Sequence, residues 1–205
     1  NTGYYVPFIY PDKKNEHSIF FNKFKSLLES GKINFVGQNI KYDALVLKRH
    51  GIVLSKIYFD TMIAESLISP EKNSYKLDNL SKDYLDYEMV PIENLIGEKS
   101  NQVSMDTVPL DDICFYACED ADVAFQLYEI QSKILKEKKI EELFYNVEIP
   151  LVKVLVEIEY NGVYVDKSII NNLCKELETE LDFLKRKIYE ISKKEFNINS
   201  PKQLD

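Results

Sequence analysis

The chain has 205 residues, 45% of them apolar, and a formal net charge of −8, enough for one sizeable core and an appendage. The acidic balance argues against a broad grip on duplex phosphates, though not against a cleft that holds a few nucleotides through metal ions. No apolar run is long enough to cross a bilayer, and Cys114, Cys118 and Cys174, with only His17 and His50 to help, lack zinc-type spacing, so a soluble cytoplasmic protein with reduced thiols is expected.

Residues 2–10 (TGYYVPFIY) read as a strand, with Pro7 suited to an edge or an end, and Pro11-Asp12 as a turn. Residues 16–30 carry a helical stripe of Ile19, Phe20, Phe24, Leu27 and Leu28, stopped by Gly31. A short buried-type strand at 33–37 feeds a helix from Asn39 to His50, closed by Gly51. Residues 56–59 form another strand, and Asp60 opens a helix to Ser69, where it serves as an N-cap before it serves as a metal ligand. A loop at 70–75, a helix at 77–85 and a less regular stretch at 91–105 follow. A long helix then runs to about residue 137. Residues 141–160 are helical, with a kink or restart at Pro150. Asn161-Gly162 ends that run, and Asp166 caps a last long helix to about residue 195. Its apolar seam includes Leu173, Leu177, Leu181 and Leu184.

Two aspartates stand out. At about 100° per residue, Ile113, Ala117, Ala121, Ala124, Leu127 and Tyr128 share one arc of the long helix, and Asp120 projects into that arc. Tyr116 sits one turn earlier on the same face. Asp43 falls between Ile40, Val46 and Leu47 on its own helix. A carboxylate on an apolar face needs a compensating partner. Alone, Asp120 is read first as a carboxylate satisfied by a structural hydrogen bond. If the two meet in space, they form a hard-oxygen pair suited to Mg²⁺ or Mn²⁺.

The spacing Asn39-x-x-Tyr42-Asp43, followed by Tyr116-x-x-x-Asp120, resembles the second and third motifs of DEDD-type 3′→5′ exonucleases, with the tyrosine of the DEDDy subclass. The phrases VGQNIKYDALVL and YACEDADVAFQL are similar to the proofreading exonuclease domain of bacterial family A DNA polymerases. Residues 195–204 (EFNINSPKQL) resemble the start of the thumb in those polymerases. The resemblance implies an α/β, ribonuclease H-like fold: a small mixed sheet flanked by helices, followed by a helical segment. It divides the chain into an exonuclease domain at 1–137 and the helical start of a polymerase domain at 138–205.

The same resemblance implies two-metal hydrolysis of the terminal phosphodiester at a DNA 3′ end. Asp120 would hold the Mg²⁺ or Mn²⁺ ion on the side of the attacking water, and Asp43 would reach the second. Tyr116 would orient the water, while Gln38, Asn39 and Tyr42 would steady the terminal nucleotide. Partners are a single-stranded 3′ end and, in the parent polymerase, a primer-template near the nucleoid. The position of the family's aromatic wedge matches Ile92. The first motif, an Asp-x-Glu pair on an early strand, has no counterpart in place. The chain is therefore expected to be an N-terminally truncated fragment, nearly inert alone. Two rivals are a free-standing RNase D-like exonuclease and a non-catalytic domain that only positions DNA.

Overall fold

The phrases FVG and IYFD pair as parallel strands, β1 (Phe35–Gly37) and β2 (Ile57–Asp60). Parallel neighbours need a crossover, and helix α2 (Ile40–Arg49) provides it. The register sets Val36 opposite Phe59 and Gly37 opposite Asp60, after an irregularity between Phe35 and Val36. The structure, a computed structural model, describes residues 2–7, 14–98 and 101–204.

Among the described residues the sheet is this parallel pair, so the mixed sheet implied by the resemblance is not seen there. Residues 2–7 run without strand pairing. An aromatic, β-branched phrase becomes a strand only where a partner edge meets it, and Pro7 withholds a donor from any ladder. Gly3 instead lies against the long helix α6 (Leu110–Glu137), where a Cβ on the glycine would come within 2.8 Å of the Cys118 Cβ. The rest of the predicted strand, residues 8–10, and the turn at Pro11-Asp12 lie outside the described residues.

Helices cover the sheet. In chain order the others are α1 (Lys14–Leu28), α3 (Thr61–Ile68), α4 (Leu77–Leu85), the single-turn α5 (Glu93–Ile96), a further single turn α7 (Glu141–Leu143) and α8 (Ile149–Asn161). Phe59 of β2 is the hub of the core. Its ring lies 4.7 Å from Phe144 and 4.9 Å from Tyr128 of α6. Ala44, Ile52, Leu135, Val152 and Val156 are among the other buried members of the same cluster. A second, smaller core of Leu80, Val123 and Leu127 joins α4 to α6.

The predicted kink at Pro150 takes a specific form. Residues Phe144–Glu148 make a π-helical turn, and α8 starts at Ile149 with Pro150 in its first turn. Proline lacks the N–H that would close an α-helical bond to the residue four before it. The widened turn is where the chain absorbs that loss. Helix α8 then packs on α2, burying Val152 and Val156 and pairing Lys41 with Glu159 and Lys48 with Glu157.

The molecule divides into two compact units, residues 1–161 and 162–205. The second is built on α9 (Lys167–Ser192) and the short α10 (Pro201–Leu204). Asp166 caps α9 by accepting from the Ser168 and Ile169 amides at 2.8 and 3.4 Å. Helix α9 is about 39 Å long. Leu173, Leu177, Leu181 and Leu184 lie exposed along it. At the end of this helix Tyr189 donates to the Phe196 carbonyl at 3.0 Å. Among the described residues, no helix is long and apolar enough to cross a membrane.

Candidate nuclease site

The carboxyl ends of parallel strands are where α/β proteins place their sites. Here β1 ends in Gly37, with Gln38 next in the chain, and β2 ends in Asp60. Asp60 is 1% exposed. Its Oδ1 accepts from the amides of Met62 (2.9 Å) and Ile63 (3.2 Å), the N-cap of α3. The same carboxylate accepts from Asn39 (3.2 Å) and Ile40 (2.8 Å), the first amides of α2. One side chain therefore ties two helix N-termini together, and the reading of Asp60 as a cap is correct. Burial raises its pKa, and the four backbone donors only partly offset that.

Asn39 turns the chain from β1 into α2. It takes the left-handed conformation, φ 53° and ψ 45°, which asparagine tolerates better than most residues. Gln38 donates through Nε2 to the Tyr75 carbonyl at 2.7 Å and accepts from the Thr61 hydroxyl through Oε1. Both ends of its amide are thus engaged by the protein.

A cleft of about 640 Å³ opens between α2, α6 and residues 76–93. Gln38, Asp43, Tyr116 and Asp120 all line it, so residues 73 and more positions apart in sequence meet there. Asn39 and Tyr42 are not on its lining; Tyr42 is 64% exposed. The wall adds residues that no motif or spacing singles out: Lys76, Asp78 and Glu93.

Two expectations need correction. Asp43 lines the cleft as an exposed residue, not inside an apolar face, and Asp120 is partly buried. The acidic residue that α6 does bury is Glu119, 8% exposed, beside Val123 and Leu127. The arc of Ala117, Ala121 and Ala124 borders the cleft, and Ala121 is exposed. Helical periodicity finds an apolar arc, but it does not tell a core from a cleft wall.

The electrostatics of the cleft are those of anions without enough counter-charge. Asp120 is pushed up to about 6, first by desolvation, then by the charges of Glu119 and Asp43. Desolvation also raises Asp43, followed by the charge of Asp60. Tyr116 is raised by burial and then by Asp120, so its hydroxyl keeps its proton at neutral pH. Hard carboxylate oxygens that disfavour their own ionisation fit a divalent cation such as Mg²⁺, which takes one or two carboxylates and fills its shell with water or phosphate. Among the described residues, no group of three or more His, Cys, Asp or Glu is arranged to hold a metal ion.

This strain has a measurable sign. The native Asp120 carboxyl releases its proton near pH 6, the unfolded one near 3.8. A raised native pKa favours folding below pH 3.8, and that advantage is lost as pH rises through 6. In the metal-free chain Asp120→Asn is expected to add about 1 kcal/mol of stability at pH 8, after discounting for solvent screening, and nothing at pH 4. Urea unfolding with a chelator at both pH values measures it. An equal change at the two would remove the charge as the cause.

An acidic cleft at strand ends, lined by Asp43, Asp78, Glu93 and Asp120 with no His, Ser or Cys among its described lining residues, is the type of site used by metal-dependent phosphodiesterases. Residues 3–137 match the family model for the 3′-5′ exonuclease of DNA polymerase family A, and the chain belongs to that family. It is 37% identical to DNA polymerase I of Borreliella burgdorferi over 203 residues, 98% of this chain and 22% of that protein. It is 34% identical to DNA polymerase I of Rhizobium leguminosarum, over 89% of this chain and 18% of that one. The value for the Pseudomonas aeruginosa enzyme is 33%, over 88% and 20%. The chain therefore spans roughly a fifth of the length of these curated relatives. In fold it is similar to the POL domain of Pol1 from M. smegmatis, solved with DNA primer-template and dNTP: TM-score 0.70 at 22% identity, over 90% of this chain and 29% of that one.

Proposed function

We propose that this chain supplies the 3′→5′ proofreading exonuclease of a DNA polymerase I and the beginning of its polymerase domain. The observation that carries the reading is the cleft in which Asp43 of α2 meets Tyr116 and Asp120 of α6. Residues 1–137 are the exonuclease part and 138–205 the start of the polymerase part. The partner is DNA, a frayed single-stranded 3′ end in the cleft, in the cytoplasm at the nucleoid.

Asp120 and Asp43 would hold Mg²⁺ or Mn²⁺. Bound there, the cation supplies an acidified water and charge stabilisation at the leaving 3′ oxygen. Tyr116, protonated at neutral pH, donates its hydroxyl to the attacking water and orients it; it is not the base. Tyr42, exposed next to Asp43, offers a ring for a base to stack on. Gln38 and Asn39 shape the corner that seats the terminal nucleotide.

The test is release of the terminal nucleotide from labelled single-stranded DNA with Mn²⁺ or Mg²⁺. In the full-length polymerase proposed to carry this chain, Asp120→Ala is expected to lower the rate at least about 100-fold. The chain alone is expected to be slow. A second reading, a domain that only positions DNA, is favoured by one observation: among the described residues no three His, Cys, Asp or Glu are arranged to hold a metal ion. Full-length activity untouched by Asp120→Ala would select it. Preference for RNA ends would select an RNase D-like enzyme.

A further inference from the structure

Residues 86–91, between α4 and α5, have no regular secondary structure. Yet Met89, Val90, Pro91, Ile92 and Glu93 form a wall of the cleft. A wall without a hydrogen-bond ladder needs another anchor. One end is held at α4, where the Ser81 hydroxyl donates to the Tyr87 carbonyl at 2.9 Å. The other anchor is on α6. Glu119 accepts from the Tyr87 hydroxyl through Oε1 at 2.6 Å and from the Val90 amide through Oε2 at 3.0 Å. Both oxygens of a carboxylate 8% exposed are thereby satisfied. Glu119 itself does not line the cleft.

We propose that Glu119 is a positioning residue, which straps the wall at residues 89–93 to the turn of α6 that presents Asp120. The inference rests on the exonuclease reading above. The strapped Val90 is a lining residue, and Glu119 is joined by a peptide bond to Asp120. The wall and the aspartate therefore share one reference point. A nucleotide seated between them is gripped only while that spacing holds, since displacements of about 1 Å are felt by a reacting group. The residue type follows from the bonds. Only a carboxylate accepts on both oxygens; glutamine must turn an N–H₂ toward one of the two donors.

The experiment uses the chain with Glu119→Gln and Tyr87→Phe, and with Val152→Ala as a core control remote from the strap. Amide exchange is followed at Val90, and affinity is measured for a fluorescein-labelled deoxythymidine decamer. In Glu119→Gln, Val90 is expected to exchange about tenfold faster and the decamer to bind about tenfold more weakly. Tyr87→Phe keeps the charge and loses one bond, so it should show a smaller change in the same direction. Unchanged exchange at Val90 overturns the strap. Faster exchange with unchanged affinity overturns its role in seating the strand. So does an equal loss of affinity in Val152→Ala. A wild-type chain that does not bind the decamer overturns instead the exonuclease reading on which the inference rests.

Discussion

Asp60→Ala is expected to destabilise the first unit by about 3–5 kcal/mol. An ordinary N-cap replaced by alanine loses about 1 kcal/mol, and 2 at most. Asp60 does more than cap α3. Its carboxylate accepts from Asn39 and Ile40 as well as Met62 and Ile63. Removing it leaves four amides at two helix starts without an acceptor, at about 1–3 kcal/mol for each that water fails to reach. At 1% exposure, water reaches the gap poorly. The loss also frees the N-terminus of α2, on which Asp43 rides. Asp60→Asn keeps one acceptor oxygen and sheds a charge that burial disfavours, so its effect should be about half as large. Urea denaturation of the three proteins ranks them. A loss under 1 kcal/mol for alanine would mean the double tie is not what holds β2, α2 and α3 in place.

Glu65→Ala is the second large effect, at about 3–5 kcal/mol, because it leaves the Tyr84 hydroxyl and the Gln131 amide without their buried acceptor, at about 1–3 kcal/mol each. Glu65 is 0% exposed. Its Oε2 accepts from the Tyr84 hydroxyl of α4 at 2.8 Å and from Gln131 Nε2 of α6 at 3.0 Å. Its Oε1 lies 2.7 Å from Lys72 Nζ. Gln131 reaches on to the Thr61 carbonyl at 3.2 Å. Three helices are thus cross-linked through one carboxylate, α6 among them. Lys72→Ala should be milder by at least about 2 kcal/mol. Lys72 is partly exposed and also pairs with Asp83, and water can replace it in part. A spectroscopic readout separates the network from general loosening. Tyr84 is pushed up to about 12, first by burial and then by its bond to Glu65. In Glu65→Ala its titration should move back toward 10.

Much of this was legible in the sequence where a local signal and a tertiary demand coincide. The 77–85 helix has the bounds its amphipathic pattern gives, because one face does meet α6 over Leu80. Asp60 reads as a cap because a β-type phrase ends there and a helix begins. Its second set of donors, from α2, is a contact across the sheet and leaves no trace in local spacing. Glu119 carries no local signal for the same reason. Its neighbour Asp120 fits an apolar arc on paper, while the face that becomes core is the one through Glu119, Val123 and Leu127. Glu65 had a visible signal, a lone acid in the apolar helix TMIAESLI, and Gln131 and Lys72 had none. The sheet departs furthest from expectation, since pairing depends on which edge a strand meets and not on its own composition.

The π-helical turn before Pro150 also constrains how this region can change over time. Phe144 and Tyr145 are consecutive, yet both rings reach Phe59, at 4.7 and 6.5 Å. The wide turn brings that about, and it also sets the angle at which Val152 and Val156 meet α2. Side chains here can be exchanged for others of like size with modest loss. A residue gained or lost between Phe144 and Glu148 would rotate all of α8 by about 100° about its axis and turn its charged side into the core. In this segment, geometry constrains chain length more tightly than it constrains any particular amino acid.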